Sequence, residues 1–346
     1  MISEEALEEY AGSGAIPGGP LTVHIDITNR CNLDCVTCWN YSPYLIQPKS
    51  PGWKKQQLSL PGFKKIIADL RSVNVKKLII SGGGEPFTHE SIYDMISAAK
   101  VVGFDVTVIT NAVLIDVPRL LENPPNKCLI NLCAATAATY AKFHPNRKPE
   151  DFDSLCRNLK TINEKIPLNL AMVISNVNDR EVAEMARLAA TFPKARLSFK
   201  LASLTGATAR FALTAQRKRI LLSEEIPLCG DICRKKSIEN NLDVFRSQLS
   251  GKGLGYPIQK IGCFAGLFYS RIYSSGDVFF CCAHIKVGNV FDMPFSRIWE
   301  SDSYNRVRDR LQRQDFFPEC ERCGKYNLNF AARRFLDERL DSYESQ

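Results

Sequence analysis

Histidine is scarce in this chain, and no apolar run is long enough to span a membrane. Only four of the 346 residues are histidine, and none forms an HExxH pair, so a histidine-rich metal site is not favoured. Apolar runs such as residues 78–80 are far too short to cross a bilayer. The N-terminus is acidic and has neither the basic start nor the apolar core of a signal peptide. These absences predict a cytoplasmic protein with no membrane segment.

Cysteine is abundant by contrast, with 13 residues. In a reducing compartment, so many cysteines indicate metal binding or catalysis rather than disulfides. The net charge is +8, with small basic groups at 217–219 and 234–236. Such groups are typical of solvated helix faces, so nucleic-acid binding is not favoured.

From residue 21 to about 200, short β-branched runs alternate with amphipathic stretches. This alternation predicts an α/β fold in which a parallel sheet carries helices on its outside. Periodicity alone leaves an open barrel and a doubly wound sheet as alternatives, and in both the ligands bind at the carboxyl ends of the strands. The six predicted strands are 21–28, 75–81, 104–110, 127–132, 168–174 and 196–202.

The composition changes after residue 203, where the chain becomes basic and polar before its last cysteines. We therefore expect a domain boundary there, followed by a helical linker and a small cysteine-bearing domain. The predicted divisions are an N-terminal extension at 1–20, the sheet domain at 21–203, the linker at 204–254, the cysteine-bearing domain at 255–325 and a tail at 326–346.

Cys31, Cys35 and Cys38 lie in one loop directly after the first predicted strand. A closed tetrahedral site or a cubane needs four ligands, so three thiolates leave one position open. An open iron suits catalysis, and a chelating amino acid can fill it. The segment SGGGEP (81–86) follows the second strand; its glycines allow a ligand to approach the backbone, and Glu85 can accept hydrogen bonds from an amino group. Half of a zinc site is the alternative interpretation.

The CxxxCxxC loop and the GGEP segment together resemble the radical S-adenosylmethionine (SAM) superfamily. The resemblance implies a partial (β/α)6 TIM-like barrel, a [4Fe–4S] cluster on the three cysteines, and SAM chelating the open iron. It also implies SAM contacts in the segments that match the family's motifs. The implied SAM-binding residues are Gly83, Gly84, Glu85, Asn111 and Asn131.

A second set of cysteines lies near the C-terminus, at Cys263, Cys281, Cys320 and Cys323. Their spacing resembles the twitch domain, a short relative of the SPASM domain, which implies one auxiliary [4Fe–4S] cluster. A structural zinc on the same four thiols is the alternative.

The remaining cysteines have no metal-ligand spacing. Cys229, Cys233 and Cys282 are candidate hydrogen donors near the barrel mouth, although buried packing is the simpler interpretation of each. The pattern assigns Cys128, Cys133 and Cys156 to the core.

The resemblance implies an oxidoreductase or epimerase that uses a 5′-deoxyadenosyl radical on a polar small molecule such as a sugar or aminocyclitol. Oxidation through the auxiliary cluster is slightly favoured over epimerisation by a cysteine hydrogen donor. The alternatives are a peptide- or protein-modifying maturase, disfavoured by the roughly twenty residues before the barrel, and a zinc-stapled scaffold without activity. The expected partners are a small-molecule or peptide substrate and a flavodoxin- or ferredoxin-type electron donor.

Three polar residues face the predicted barrel without forming a motif, and structural roles are expected for them. They are His24, Asp26 and Lys200.

Overall fold

The computed structural model describes residues 7–8, 10, 18–204, 206–250, 258–281 and 285–344. Within these ranges no helix combines the length and the apolar composition that crossing a membrane requires.

The described residues form one nine-stranded sheet in the order β6-β5-β4-β3-β2-β1-β7-β8-β9. Strands β1 to β6 are parallel and follow one another in sequence order, which confirms the predicted α/β fold with a partial (β/α)6 barrel. All six predicted strands are present. The strands are β1 (Thr22–Thr28), β2 (Lys77–Gly82), β3 (Asp105–Thr110), β4 (Lys127–Asn131), β5 (Leu168–Ile174), β6 (Ala195–Leu201), β7 (Tyr269–Ile272), β8 (Asp277–Phe279) and β9 (Lys286–Asn289).

Helices connect the parallel strands and continue into the C-terminal part. In the longest connecting helix, Phe152, Leu155, Leu159 and Ile162 recur every three or four residues and bury one face. The α-helices are α1 (Pro51–Lys55), α2 (Leu60–Ser72), α3 (Ile92–Val102), α4 (Val117–Glu122), α5 (Ala137–Phe143), α6 (Pro149–Lys165), α7 (Val182–Ala189), α8 (Ala215–Ile220), α9 (Ile226–Lys235), α10 (Leu242–Leu249), α11 (Ile258–Ile261), α12 (Ala265–Phe268), α13 (Phe295–Trp299), α14 (Asp302–Gln312) and α15 (Tyr326–Glu344).

The two faces of the parallel strands differ in burial. Val23, Ile25 and Ile27 on β1 are fully buried and share a core with Phe63 of α2. On β5 every second residue is buried, and the residues between them keep partial exposure. Side chains alternate across a strand, so the partly exposed set faces away from the helices. We call this concave face, from β1 to β7, the barrel interior.

The outer edge of β6 is covered by the chain segment that precedes α10 rather than by another strand. The backbone N–H of Leu197 donates to the carbonyl of Glu239 at 2.8 Å. The side chain of Asn241 accepts from the N–H of Phe199 at 2.7 Å and donates to the Phe199 carbonyl at 2.9 Å. The Asn241 amide therefore replaces a neighbouring strand at this edge.

The C-terminal part is joined to the barrel through β7. This strand pairs in parallel with β1, with His24 opposite Arg271 and Ile25 opposite Ile272. Strands β8 and β9 then continue the sheet in antiparallel pairing. The cysteine-bearing segment that the sequence predicts as a separate domain thus extends the barrel sheet beside its first strand.

Candidate functional site

The loop after β1 brings together the thiols of Cys31, Cys35 and Cys38. Each lies within electrostatic reach of another member of the set. Burial raises the pKa of Cys31 to about 12 and raises that of Cys35 well above its ordinary value. Thiols that resist ionisation in the protein alone lose their protons when a metal binds them. Three soft sulfur donors from one loop suit an iron–sulfur cluster that keeps one iron open.

The described residues contain no group of three cysteine, histidine, aspartate or glutamate side chains spaced for one metal ion. Around a single zinc ion, thiolates lie about 3.8 Å apart, because the Zn–S bonds are about 2.3 Å long. A cubane places iron and sulfide atoms between its ligands, so its cysteines need not meet the single-ion spacing.

Hydrogen bonds from the end of α5 and the turn that follows it fix this cysteine loop. The carbonyl of Phe143 accepts from the N–H of Val36 at 3.0 Å. The side chains of Asn146 and Arg147 both donate to the carbonyl of Asn32, each at 3.0 Å. The loop is therefore fixed by a distant element that its own sequence does not reveal.

Gly83 and Gly84 lie against the cysteine loop without room for a side chain. A Cβ atom on Gly84 would stand 2.0 Å from the carbonyl oxygen of Arg30, and one on Gly83 would stand 2.4 Å from Oδ1 of Asn29. The carbonyl of Gly83 accepts from Nδ2 of Asn40 at 2.8 Å. The glycines are thus required for close packing of two loops at the carboxyl ends of β1 and β2.

Glu85 is buried, and its carboxylate accepts three hydrogen bonds from neighbouring residues. Oε1 accepts from the Thr110 hydroxyl at 2.6 Å and from the N–H of Phe87 at 3.1 Å. Oε2 accepts from the N–H of Asn111 at 2.7 Å. Burial raises the pKa of Glu85 to about 7, although these three donors act in the opposite direction. The carboxylate therefore ties the glycine loop to the end of β3, and its oxygens have hydrogen-bond partners within the chain.

Asn111 and Asn131 have different surroundings. Nδ2 of Asn111 donates to Oδ1 of Asn32 at 2.9 Å, which links the end of β3 to the cysteine loop. Asn131 ends β4 and is exposed, and its side chain makes no hydrogen bond to another described residue. Of the two, Asn131 is the side chain available to a ligand.

The structure also brings the second set of cysteines together. Cys263 lies within electrostatic reach of Cys320 and Cys323, and burial raises its pKa to about 12. The buried Tyr304 is close to both Cys263 and Cys281. Cys263, Cys320 and Cys323 are therefore neighbours, and Cys281 shares the neighbour Tyr304 with Cys263. Four thiols placed in this way suit a fully ligated cluster.

The candidate hydrogen donors have different placements. Cys229 and Cys233 are buried in the main core, on a helix that packs against α7 outside the sheet. Their role as donors remains a prediction, and this position does not support it. Cys282 lies outside the described residues. Cys133, which sequence reasoning assigned to the core, is buried next to Cys35, so it borders the first cysteine loop.

The barrel interior carries polar side chains at the seam of β1 and β7. His24 and Asp26 face the interior and are buried, and the Asp26 carboxylate binds the guanidinium of Arg271. Lys325, two residues after Cys323, places its ammonium 3.6 Å from the ring centroid of Tyr269 on β7. The second thiol set therefore lies near the seam of β1 and β7. Lys200 is exposed on β6.

Two family models match the segments that carry these two thiol sets. Residues 25–189 match the radical SAM superfamily, and residues 263–324 match the SPASM iron–sulfur cluster-binding domain. The first match contains the cysteine loop and the glycine segment. The second contains all four cysteines of the C-terminal set.

Similar proteins have several activities. The AdoMet-dependent heme synthase of Methanosarcina barkeri is 23% identical over 317 residues, which cover 85% of this chain and 86% of that protein. The PqqA peptide cyclase of Bradyrhizobium diazoefficiens is 31% identical over 116 residues, which cover 34% of this chain and 28% of that protein. The crystal structure of Streptococcus suis SuiB bound to S-adenosylmethionine is similar in fold, with a TM-score of 0.65 and 17% identity over 88% of this chain and 71% of that one.

Proposed function

Because the chain belongs to the radical SAM superfamily and carries a SPASM iron–sulfur domain, we propose that it modifies a peptide substrate by radical chemistry. Its cofactors are SAM, the radical SAM [4Fe–4S] cluster and an auxiliary iron–sulfur cluster. When bound, SAM and the first cluster supply a 5′-deoxyadenosyl radical that takes a hydrogen atom from a substrate carbon.

We assign the cofactor contacts by the placement of the residues. Cys31, Cys35 and Cys38 hold the first cluster, and the C-terminal four thiols hold the auxiliary one. Gly83 and Gly84 present backbone to the SAM amino acid moiety, and Asn131 offers a free amide. Glu85 and Asn111 keep these loops in register. A flavodoxin- or ferredoxin-type protein is the expected electron donor.

The observation that carries the peptide proposal is an exposed apolar rim beside the barrel mouth. Trp39, Tyr44 and Ile46 follow the cysteine loop and are 62%, 39% and 81% exposed. The Tyr44 ring packs against Phe211, which follows β6, with centroids 5.2 Å apart. Several exposed apolar side chains in one short segment are typical of an interaction surface. A peptide leaving the interior would cover this rim, whereas a small metabolite would lie below it.

The similarity to peptide cyclases supports this choice over the sugar or aminocyclitol that the cysteine spacing favoured. A small metabolite is the second candidate, because the match to the heme synthase covers 85% of this chain and 86% of that protein. In either case oxidation fits the auxiliary thiols at the edge of the interior, since net oxidation needs an electron acceptor close to the substrate.

Co-expression with short peptides encoded beside the gene tests the proposal. One peptide should change in mass with the wild-type enzyme and stay unchanged with Cys31, Cys35 and Cys38 all replaced by alanine. If no peptide changes while a small carboxylic metabolite stimulates 5′-deoxyadenosine formation by the purified enzyme, the metabolite is the substrate and the peptide proposal is wrong.

A further inference from the structure

A buried polar network crosses the seam between the first barrel strand and the C-terminal part. In the pairing of β1 with β7, His24 stands opposite Arg271, so both side chains face the barrel interior. The side chains of His24 and Asp26 are only 8% and 3% exposed, whereas that of Arg271 is 22% exposed. The network therefore has a buried end and one end that reaches solvent.

The buried end keeps Asp26 ionised. The Tyr269 hydroxyl lies 3.2 Å from Nδ1 of His24, and Nε2 of His24 lies 3.2 Å from Oδ1 of Asp26, without the alignment of a full hydrogen bond. Burial lowers the pKa of His24 to about 4, so the imidazole is neutral at pH 7. Burial alone would raise the pKa of Asp26, but His24 and Arg271 hold it below its ordinary value.

Asp26 in turn fixes the orientation of Arg271. Its Oδ2 accepts from Nη2 at 2.7 Å and from Nε at 3.1 Å, which occupies one edge of the guanidinium. The ring of Tyr273 lies 5.0 Å from the guanidinium carbon and covers one face. The edge formed by Nη1 and Nη2 remains, and Nη1 has no hydrogen bond to any described residue.

An arginine held in this way is arranged to bind a second carboxylate. The guanidinium presents five N–H donors in a planar fork that matches a carboxylate with two parallel hydrogen bonds. Because Asp26 and Tyr273 already fix the group, binding costs less side-chain entropy than it would for a mobile arginine. If Arg271 served only to neutralise Asp26, its Nε/Nη2 edge would be sufficient, and the Nη1/Nη2 edge would have no function.

We propose that the Nη1/Nη2 edge of Arg271, oriented by Asp26, binds an acidic side chain of the substrate in the barrel interior. This rests on the proposed function, since it names the side-chain chemistry of the peptide. Arg271 is then a binding residue and Asp26 its positioning residue. Arg196 on β6 is a natural control: its side chain is 28% exposed, similar to that of Arg271, but its Nη1 lies 3.0 Å from Glu239.

Chemical footprinting of arginine tests this assignment. Anaerobic holoenzyme is treated with phenylglyoxal, which modifies guanidinium groups, and adduct formation at Arg271 and Arg196 is followed by mass spectrometry. The probes are N-acetylglutamate α-amide and N-acetylglutamine α-amide, which differ only in the side-chain carboxylate. The acid should slow modification of Arg271 at least fivefold, the amide less than twofold, and neither should change Arg196.

An Asp26→Asn variant should keep Arg271 reactive but lose the protection by the acidic probe. The wild-type comparison decides the matter if that variant does not fold. Equal protection by both probes, no protection, or an Arg271 that never reacts would each overturn the assignment. Because no SAM cleavage is measured, selective protection without peptide modification would refute only the proposed function, and peptide modification without protection would refute only this inference.

Discussion

At the scale of single residues, Glu85 illustrates how burial and hydrogen bonding oppose each other. Its three donors favour the carboxylate, yet burial raises its pKa to about 7. Replacing it with glutamine turns one carboxylate oxygen into an NH2 group. That group would face N–H or O–H donors that now have no acceptor. We expect Glu85→Gln to lower the free energy of unfolding by about 1–3 kcal/mol, the cost of an unsatisfied buried polar group.

The same variant separates SAM binding from cluster assembly. Glu85 is not assigned as an iron ligand, so Glu85→Gln should keep its iron while SAM affinity falls, because the glycine loop loses its attachment to β3. Equilibrium dialysis with labelled SAM measures the SAM affinity, and iron analysis measures the cluster content. Glu90→Gln, on the exposed neighbour, is the matched control. Iron loss with SAM affinity intact would contradict this account.

His144 provides a prediction on pH dependence. Burial lowers its pKa to about 4, below the ordinary value of 6.5, so the unfolded chain binds a proton more readily than the folded one. Its contribution to stability is therefore full above pH 6.5 and is lost as the pH falls towards 4. Between pH 7.5 and 5.5 this histidine should account for roughly 1 kcal/mol of lost stability.

Urea unfolding of the wild type and of His144→Gln at both pH values measures the stability loss that His144 causes. The variant should lose less stability on acidification than the wild type by that amount. The buried His24, whose pKa is also lowered to about 4, contributes equally to both proteins and cancels. Identical losses in the two proteins would show that His144 titrates normally.

At the scale of elements, the covered edge of β6 gives a direct test. Asn241→Ala leaves the N–H and carbonyl of Phe199 without their partners, while Leu197 keeps its bond to the Glu239 backbone. We expect a loss of about 1–3 kcal/mol in the free energy of unfolding. Gln216→Ala removes an exposed amide on α8 and should change stability by less than about 0.5 kcal/mol. Equal effects of the two changes would mean that Asn241 does not protect the edge.

The strands could be predicted from the sequence because they are short apolar runs separated by amphipathic stretches, and their observed bounds lie within two residues of the predicted ones. The pairing of β7 with β1 could not, because it joins segments some 245 residues apart and no local pattern records it. The covering of β6 depends on one asparagine side chain outside any periodic segment. For the same reason, the hold of Asn146 and Arg147 on the cysteine loop was missed.

At the scale of the whole molecule, the candidate site joins a local motif to a long-range assembly. The three-cysteine loop and the glycine segment are short, so their chemistry could be read from spacing. The auxiliary thiols come from segments around residues 263, 281 and 320, and only the folded structure shows that they lie near the seam of β1 and β7. Substrate chemistry was the least predictable, because the proposed role of Arg271 depends on Asp26, which lies some 245 residues away in the sequence.

The central claim is that two thiol sets hold two separate clusters beside one interior. Iron analysis with Mössbauer spectroscopy of the anaerobically reconstituted protein tests it most directly. The wild type should contain about eight irons as two [4Fe–4S] clusters. With Cys31, Cys35 and Cys38 replaced by alanine, about four irons should remain in one cluster and SAM cleavage should cease. A colourless protein that holds only zinc, or a triple variant that still forms 5′-deoxyadenosine, would contradict the account.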